Sequence, residues 1–134
     1  MKGSGRASNN IDIGRIGENI AAEFLASRKY SIVERNFRTP FGELDIIAEK
    51  EGRTVFVEVK TRVSERFGPP LSAIGRSKQN TLLKNCMFYI KIKGLFGKSC
   101  RIDAIGIYLD NDKRSRILQH VKNAVQLIER RYTC

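Results

Sequence analysis

The sequence predicts one α/β domain built on a mixed β-sheet with helices on both faces. Three observations support this prediction: the length, the composition and the order of the hydrophobic patterns. The chain has 134 residues, which suits one domain of ordinary size. Apolar residues make up 41% and charged residues 29%, a balance typical of a soluble protein with a buried core. Helical and strand-like patterns alternate along the chain, as expected for a sheet covered on both faces.

The first predicted element is a helix over residues 12–29. Asp12 is its expected N-cap. Residues 1–11 are rich in Gly, Ser and Asn and are predicted to form a flexible arm, followed by a single domain over 12–134. The arm has no apolar stretch and does not resemble a signal peptide. The helix is predicted from apolar residues at helical spacing: Ile13, Ile16, Ile20 and Phe24.

Three strands are predicted between the first helix and the second. One covers about 31–38, and two more, ELDIIAEK and RTVFVEVKTR, flank a Glu51-Gly52 turn. A two-residue turn places Lys50 opposite Arg53. This register makes the numbers of directly opposed residues sum to about 103.

The remainder of the chain is predicted to form a helix, two strands and a closing helix. Ser77 is the expected N-cap of the second helix, which should end near Gly94. Strands are predicted over 101–109 and 116–121, and a short helix over 123–131. This order completes the α/β sandwich.

The predicted hairpin register gathers charged side chains on one face of the sheet. On that face Asp45 lies opposite Glu58, and Glu43 lies opposite Lys60. A slip of one residue would move Asp45 and Glu58 to opposite faces, so the pattern favours this register. The other face carries three apolar pairs: Leu44 with Val59, Ile46 with Val57, and Ala48 with Val55.

The opposed carboxylates predict a metal-dependent hydrolytic site. Two like charges directly opposite each other destabilise a sheet, and a divalent cation compensates for them. Mg²⁺ is usually held by one or two carboxylates and takes further oxygens from substrate phosphates. Lys60 lies on the same face as Glu58, where it can orient a water or stabilise charge on a phosphoryl group. The alternative is a salt-bridge network on an exposed face, which the apolar neighbours Ile47 and Phe56 disfavour.

The basic residues indicate a polyanionic partner, with nucleic acid ahead of a membrane surface. The net charge is +11, and the stretch from Lys60 to Arg101 has ten basic residues and one acidic residue. The alternative is a solvated helix face. No apolar run approaches the roughly 20 residues of a membrane-spanning helix. Five basic side chains of this stretch are predicted to contact nucleic acid: Arg62, Arg66, Arg76, Lys78 and Lys84.

The cysteines and the single histidine limit the kinds of site that the chain can build. Cys86, Cys100 and Cys134 form no CxxC pair, and they are predicted to be ordinary thiols in the reducing cytoplasm. His120 is the only histidine, so any metal must be bound mainly by oxygen. Oxygen ligands again point to Mg²⁺ or Mn²⁺.

Four motifs, taken in order, resemble the YraN-like family of small predicted endonucleases. They are GENIAAEFL, GELDIIA, VFVEVKTR and SKQ, and the resemblance runs from about Gly14 to Val125. Members of this family look like distant relatives of archaeal Holliday-junction resolvases. They belong to the PD-(D/E)xK nuclease superfamily, whose restriction-endonuclease-like fold is a mixed sheet flanked by helices.

The resemblance implies roles for individual residues. It assigns metal binding to Asp45 and Glu58 and catalysis to Lys60. It also implicates Glu18, which by itself reads as a surface glutamate, in the metal site, and Gln79 in contact with the substrate. In the superfamily pattern a proline precedes the metal-binding aspartate. This sequence departs from the pattern, because Leu44 precedes Asp45.

The leading hypothesis is a metal-dependent endonuclease in which Asp45, Glu58, Glu18 and the backbone carbonyl of Val59 hold Mg²⁺ or Mn²⁺. The expected substrate is nucleic acid, with DNA first and branched or single-stranded DNA included. Resemblance to the resolvases implies a homodimer. The first alternative is a non-catalytic nucleic-acid-binding module that acts with a partner. The second is an electrostatic scaffold for acidic proteins or membranes.

Overall fold

A five-stranded sheet with a long helix on each face forms the described part of the protein in a computed structural model. The structure describes residues 2–63, 71, 74–110 and 114–125, apart from the side chains of 2–12, 115, 116 and 118. In chain order the elements are α1 (Lys2–Ser27), β1 (Ser31–Thr39), β2 (Gly42–Lys50), β3 (Arg53–Arg62), α2 (Arg76–Lys93), β4 (Cys100–Leu109) and β5 (Ser115–Val125).

The sheet is mixed, as the sequence predicted. Its strand order is β1-β2-β3-β4-β5. β3 and β4 are parallel, because α2 carries the chain back across the sheet between them, and the other neighbours are antiparallel. The arrangement is an α/β sandwich consistent with the restriction-endonuclease-like fold.

Each face of the sheet buries its own hydrophobic core, because alternate residues of a strand point to opposite faces. On one face, Ala21 and Leu25 of α1 pack with Val55, Val57 and Ile105. The opposite core consists of side chains from α2 and from the alternate strand positions: Leu82, Cys86, Ile90, Ile47 and Phe56. The two cores fix the sheet between the helices.

α1 begins at Lys2 and not at the predicted N-cap Asp12. The prediction of the helix start was wrong because the Gly, Ser and Asn residues of this segment lower helix propensity by no more than about 1 kcal/mol each. Such weak preferences do not fix where a helix begins. That residues 1–11 act as a flexible arm stays a prediction.

α2 ends as predicted and begins differently. Gly94 adopts a left-handed conformation with φ 66°, which suits the residue after a helix. The N-cap is Gly75, whose backbone is extended, so Ser77 lies within the first turn and the prediction for it was wrong. No side chain caps this end, so the sequence contained no capping signal to locate it.

β5 continues into the segment predicted to begin the closing helix. Residues 123–125 belong to the strand, and the predicted helical residues 126–131 lie outside the described residues. Asn123 has φ 55°, and its N–H donates a hydrogen bond of 3.0 Å to the Asp103 carboxylate of β4. This contact holds the end of β5 on the sheet and explains why the helix prediction failed there.

The two described cysteines differ, and Cys134 lies outside the described residues. Cys86 is a free, buried cysteine in the α2-side core, as predicted. Cys100 is disulfide-bonded, so the prediction of ordinary thiols was wrong for it. Spacing along the chain does not show which elements the fold brings together. Among the described helices, neither is long and apolar enough to cross a membrane.

Candidate active site

The site lies where β2 and β3 separate. The predicted register is confirmed from the turn as far as the pair of Ile46 and Val57, where the recorded β2–β3 pairing ends. Beyond it the Val59 N–H donates a 2.8 Å hydrogen bond to the Asp45 carboxylate. A side chain thus takes the place of a backbone partner. Three predicted opposed pairs were therefore wrong: Asp45 with Glu58, Glu43 with Lys60, and Leu44 with Val59.

The separation of the strands also changes the surroundings of Leu44. It packs in the α2-side core, whereas Val59 packs in the α1-side core. The face prediction holds for the remaining pairs, Ile46 with Val57 and Ala48 with Val55, whose side chains share the α1-side core. The strand alternation is therefore regular near the turn and is lost where the charged residues begin.

Glu58 is buried and Asp45 is half-buried, and the two side chains are neighbours although their backbones are not paired. The Glu58 residue is 3% exposed. Burial raises the pKa of Asp45 to about 8; the charges of Glu58 and Glu18 and a hydrogen bond with Glu58 add to the rise, and the Val59 N–H opposes it. The two carboxyl groups are therefore close enough to interact strongly, as the sequence predicted.

Lys78 neutralises part of this charge. Its Nζ lies 3.3 Å from Glu58 Oε2, and the Lys78 side chain is 40% exposed. The structure places Lys78 at the acidic pair, and its predicted contact with nucleic acid stays a prediction. The helix start at Arg76 brings Lys78 to the sheet, a placement that sequence spacing could not show.

Lys60 follows Glu58 by two residues on β3 and is half-buried. Since alternate strand residues share a face, both side chains leave the strand on the same side. Arg62, two residues further on, is also half-buried. The catalytic role of Lys60 stays a prediction.

Glu18 reaches the site because α1 passes very close to β3. A Cβ built on Gly17 would lie 1.8 Å from Thr61 Oγ1, so only glycine permits this approach. Glu18 accepts a 2.8 Å hydrogen bond from Asn36 Nδ2. Its role as a third metal ligand stays a prediction, because no group of three acidic, His or Cys side chains arranged for a metal occurs among the described residues.

Gly17→Ala is expected to destabilise the protein, and Gly14→Ala is its matched control. Both positions lie in α1, where alanine favours the helix by about 1 kcal/mol over glycine. A Cβ at Gly14 meets nothing within 4 Å, so Gly14→Ala should raise the urea midpoint. Gly17→Ala should lower it, because Thr61 is β-branched and cannot rotate out of the way cheaply. Equal effects of the two substitutions would contradict the close approach.

The acidic pair fits Mg²⁺ or Mn²⁺ by the chemistry of its donors. Both side chains offer hard oxygen ligands, and Mg²⁺ is typically bound by one or two carboxylates with water in its remaining positions. Burial is the largest cause of the raised pKa of Asp45, and electrostatic repulsion by the Glu58 carboxylate adds to it. A cation at the pair would remove that repulsion.

Asp45→Asn is expected to stabilise the metal-free protein at high pH. The raised pKa means that the folded protein keeps a proton on Asp45 that the unfolded chain releases above about pH 4. Folding stability therefore falls as the pH rises from about 4 to about 8. In EDTA, the gain in Tm from Asp45→Asn over wild type should be larger at pH 9 than at pH 5. A gain that does not change with pH, or one matched by the exposed control Glu23→Gln, would contradict this account.

A polar cleft beside the acidic pair contains three arginines that the sequence analysis missed. It has a volume of about 750 Å³ and includes Glu18 and Glu43 in its lining. The arginines are Arg15 of α1 and Arg35 and Arg38 of β1. Arg15 precedes Glu18 by three residues and so lies on the same helix face, a signal that was available in the sequence.

The residues predicted to contact nucleic acid differ in their exposure and in their contacts. Arg76 and Lys84 are exposed on α2. Gln79 is half-buried, and its side chain donates a 3.4 Å hydrogen bond to the Ile74 carbonyl. Arg66 lies outside the described residues. The predicted contacts of these residues with nucleic acid stay predictions.

Some basic residues between Lys60 and Arg101 are already paired with carboxylates. Besides Lys78, two residues of this stretch pair with carboxylates: Lys93 with Glu34 at 3.3 Å and Arg101 with Asp103 at 2.9 Å. The positive charge available to a polyanion from this stretch is accordingly smaller than the residue count suggests.

The sequence is similar to a family described as uncharacterised protein family UPF0102, whose pattern matches residues 17–107. A UPF0102 protein of Moorella thermoacetica is 40% identical over 111 residues, which cover 83% of this chain and 92% of that protein. One of Dictyoglomus turgidum is 45% identical over 101 residues, with 75% and 86% covered. One of Geotalea uraniireducens is 42% identical over 128 residues, with 95% and 98% covered. The matched segment contains the acidic pair, Lys60 and Glu18.

Proposed function

The chain belongs to the uncharacterised family UPF0102, the YraN family, and we propose that it is a metal-dependent endonuclease that hydrolyses phosphodiester bonds in nucleic acid. The observation that carries this proposal is the interacting pair of half-buried Asp45 and buried Glu58, with Lys60 on the same strand as Glu58. Like charges held together away from water are costly to keep, and groups with perturbed pKa values cluster where function requires them. DNA, including branched or single-stranded DNA, is the proposed substrate.

Asp45 and Glu58 would hold Mg²⁺ or Mn²⁺, with Glu18 and the Val59 carbonyl as further proposed ligands. When bound, the cation supplies charge stabilisation at the scissile phosphate and acidifies a water molecule. The Val59 N–H supports this role by fixing the orientation of the Asp45 carboxylate. A positioned carboxylate lowers the cost of ordering the site when substrate arrives.

Lys60 is the proposed catalytic lysine. Its ammonium group can orient the attacking water and stabilise the negative charge that develops on the phosphoryl oxygens. Lys78 has a different role, because its Nζ is already paired with Glu58 at 3.3 Å. We assign Lys78 to positioning Glu58 and compensating its charge.

The polar cleft is the proposed path of the sugar-phosphate backbone. Arg15, Arg35 and Arg38 line it next to Glu18 and Glu43. Guanidinium groups bind phosphate oxygens in a bidentate manner and do not depend on base sequence. The exposed Arg76 and Lys84 of α2, and Arg62, Arg66 and Gln79 as proposed from the sequence, would extend these contacts. Binding of this kind weakens steeply as salt is raised.

A cleavage assay tests the proposal. End-labelled single-stranded, duplex, flap and four-way-junction DNA are incubated with the protein in Mg²⁺, Mn²⁺ or EDTA. We expect cutting of at least one substrate with a divalent cation and none in EDTA. If neither cation supports cutting of any of these substrates by the folded protein, the endonuclease proposal fails.

The second candidate function is a nucleic-acid-binding module without catalysis. The observation behind this candidate is the ion pair between Lys78 and Glu58, because a salt bridge that only stabilises the fold has the same geometry. Such a module would bind DNA in a salt-sensitive manner without cutting it, and Mn²⁺ would not raise its Tm. An electrostatic scaffold would instead show no preference for nucleic acid over other polyanions.

Assembly and location are proposed from the sequence alone. The resemblance to resolvases suggests a homodimer, and the cysteine pattern and the lack of a long apolar run suggest a cytoplasmic protein without membrane association. Sedimentation at working concentration tests the dimer, and a monomer throughout would argue against four-way junctions as the substrate.

A further inference from the structure

A second groove lies along the outer face of α2, away from the acidic pair. It has a volume of about 620 Å³. We call it the α2 groove. Its lining includes three aromatic rings, two lysines and an amide: Phe41, Phe88, Phe96, Lys84, Lys91 and Asn80.

Two of the three aromatic rings of the α2 groove are exposed, and the third, Phe88, is half-buried. Phe41 is 50% exposed and Phe96 is 56% exposed. A large apolar side chain left in water does not gain the free energy that burial would provide. Two such rings lining one groove indicate a surface that binds a partner.

The position of Phe41 is fixed by the fold. Phe41 lies in the turn between β1 and β2, and its N–H donates a 2.9 Å hydrogen bond to Thr39 Oγ1. The Thr39 hydroxyl in turn donates to the buried Asn85 of α2. Gly42 has φ 147° and lies against the same Asn85. The turn is therefore fastened to α2 and holds the Phe41 ring at the groove.

Phe96 is held at the other end of α2 in a similar way. The Leu95 N–H donates a 2.9 Å hydrogen bond to the Ile90 carbonyl, and Leu95 packs against the α2-side core. Phe96 follows directly and is exposed instead. The loop thus partly buries Leu95 and presents Phe96 to solvent.

The charges of the α2 groove match a polyanion. Lys84 and Lys91 line it, and none of its described lining residues is acidic. The Lys84 Nζ lies 5.8 Å from the centroid of the Phe41 ring, so a positive charge and a flat apolar surface stand side by side. Bases stacked on rings, with phosphates at lysines, are the usual means of binding a single strand.

The chemistry favours unpaired nucleotides over a duplex. Within a duplex the base faces are stacked on one another and cannot lie on a protein ring, whereas unpaired bases can. α2 also connects the groove to the acidic pair, since Lys78 at one end of the helix contacts Glu58. From Lys78 to Lys91 the helix runs for about 20 Å. We propose that the α2 groove binds an unpaired segment of the nucleic-acid substrate; this rests on the proposed nuclease function.

Fluorescence anisotropy in EDTA tests this proposal without requiring cleavage. Labelled oligo(dT) and a blunt duplex of the same length are titrated with wild type and with the double variant Phe41→Leu/Phe96→Leu, which keeps apolar side chains and removes the two exposed rings of the groove. We expect at least about tenfold weaker binding of oligo(dT) and less than about twofold change for the duplex. The control is Ile92→Ala, an exposed apolar residue of α2 outside the groove, which should change neither affinity.

A second variant protects the test against misfolding. Lys84→Gln should weaken oligo(dT) binding and reduce its salt dependence, whereas Lys98→Gln, an exposed loop lysine, should do so much less. Unchanged oligo(dT) binding in both groove variants would overturn the proposal, as would equal losses for oligo(dT) and duplex. A further outcome is that wild type is a dimer, the double variant is a monomer and both bind oligo(dT) with the same affinity. In that case the groove is an interface between copies of the chain and the proposal is wrong.

The outcomes also separate this proposal from the nuclease proposal. Cutting by wild type, together with unchanged oligo(dT) binding by the groove variants, would refute only the groove. Ring-dependent oligo(dT) binding by a protein that cuts nothing would support the groove and refute the nuclease.

Discussion

Lys60→Ala is expected to reduce metal-dependent cleavage by at least about 100-fold, the usual scale for loss of a positioned proton-transfer or charge-stabilising group. Lys60 follows Glu58 by two residues on β3, so its amine lies on the side of the strand that bears the acidic pair. Removing it takes away the charge beside the scissile phosphate and leaves both carboxylates in place. The measurement is the single-turnover rate on the preferred substrate in Mn²⁺.

Binding and folding should be nearly unchanged in the Lys60 variant. Lys60 is half-buried and belongs to neither hydrophobic core, so the Tm of Lys60→Ala should lie close to that of wild type. Lys98→Ala, in an exposed loop, is the matched control and should cut at the wild-type rate. Undiminished cleavage by Lys60→Ala would remove Lys60 from the catalytic assignment.

Asp103→Asn is expected to cost about 3 kcal/mol of folding free energy, the scale for breaking a buried ion pair. Asp103 is fully buried in β4. Its carboxylate accepts hydrogen bonds of 2.9 Å and 3.3 Å from Arg101, and His120 Nε2 lies 2.9 Å away. The Asn123 N–H adds a bond of 3.0 Å. Asparagine would leave the Arg101 guanidinium, whose side chain is 15% exposed, without its anionic partner.

The loss of folding free energy caused by Asp103→Asn should be smaller at acidic pH than at pH 7. Burial alone would raise the pKa of Asp103, but the hydrogen bonds from His120, Arg101 and Asn123 outweigh it and lower the pKa below its usual value. The carboxylate therefore stabilises the fold above about pH 4, and this stabilisation is lost as the pH falls through the lowered pKa.

Urea unfolding at pH 7 and at acidic pH checks both statements about Asp103. The control is Asp110→Asn, since Asp110 pairs at 3.2 Å with Arg114, whose side chain is 78% exposed. Exposed pairs contribute about 0–1 kcal/mol. An Asp103→Asn variant as mild as Asp110→Asn at pH 7 would show that the buried network does not stabilise the fold.

The hairpin could be predicted from the sequence because its signals are local. The Glu51-Gly52 turn and the period-two alternation fix the register from the turn to Ile46, and the structure confirms it there. The separation of the strands at Asp45 could not be predicted. It depends on a side chain accepting the hydrogen bond of Val59 N–H, a contact between residues 14 positions apart.

The positions and partners of individual charged side chains could also not be predicted from the sequence. Lys78 belongs to a basic stretch in composition, yet the orientation of α2 over the sheet pairs it with Glu58. Glu18 reads as a surface residue from spacing alone, and only the family resemblance drew attention to it. The physical reason for its position, the contact of Gly17 with Thr61, appears only when α1 is packed on β3.

The buried network at Asp103 had a signal that the sequence analysis did not use. RIDAIGIYL is an apolar strand with one acidic residue inside it, and His120 lies in the neighbouring predicted strand. A charge within an apolar strand is costly unless it is paired, so a partner was to be expected. The identity of these partners could not be predicted, because it depends on the pairing of β4 with β5. The partners are Arg101, Asn123 and His120.

Mn²⁺ binding tests most directly whether the acidic pair is a metal site. The number of bound Mn²⁺ ions is measured by electron paramagnetic resonance for wild type, Glu58→Gln and the exposed control Glu49→Gln. We predict saturable binding of at least about one Mn²⁺ per wild-type chain, displaced by Mg²⁺, retained in Glu49→Gln and weakened at least about tenfold in Glu58→Gln. Absence of saturable binding by wild type, or equal binding by Glu58→Gln, would show that Asp45 and Glu58 form a salt-bridge network and not a metal site.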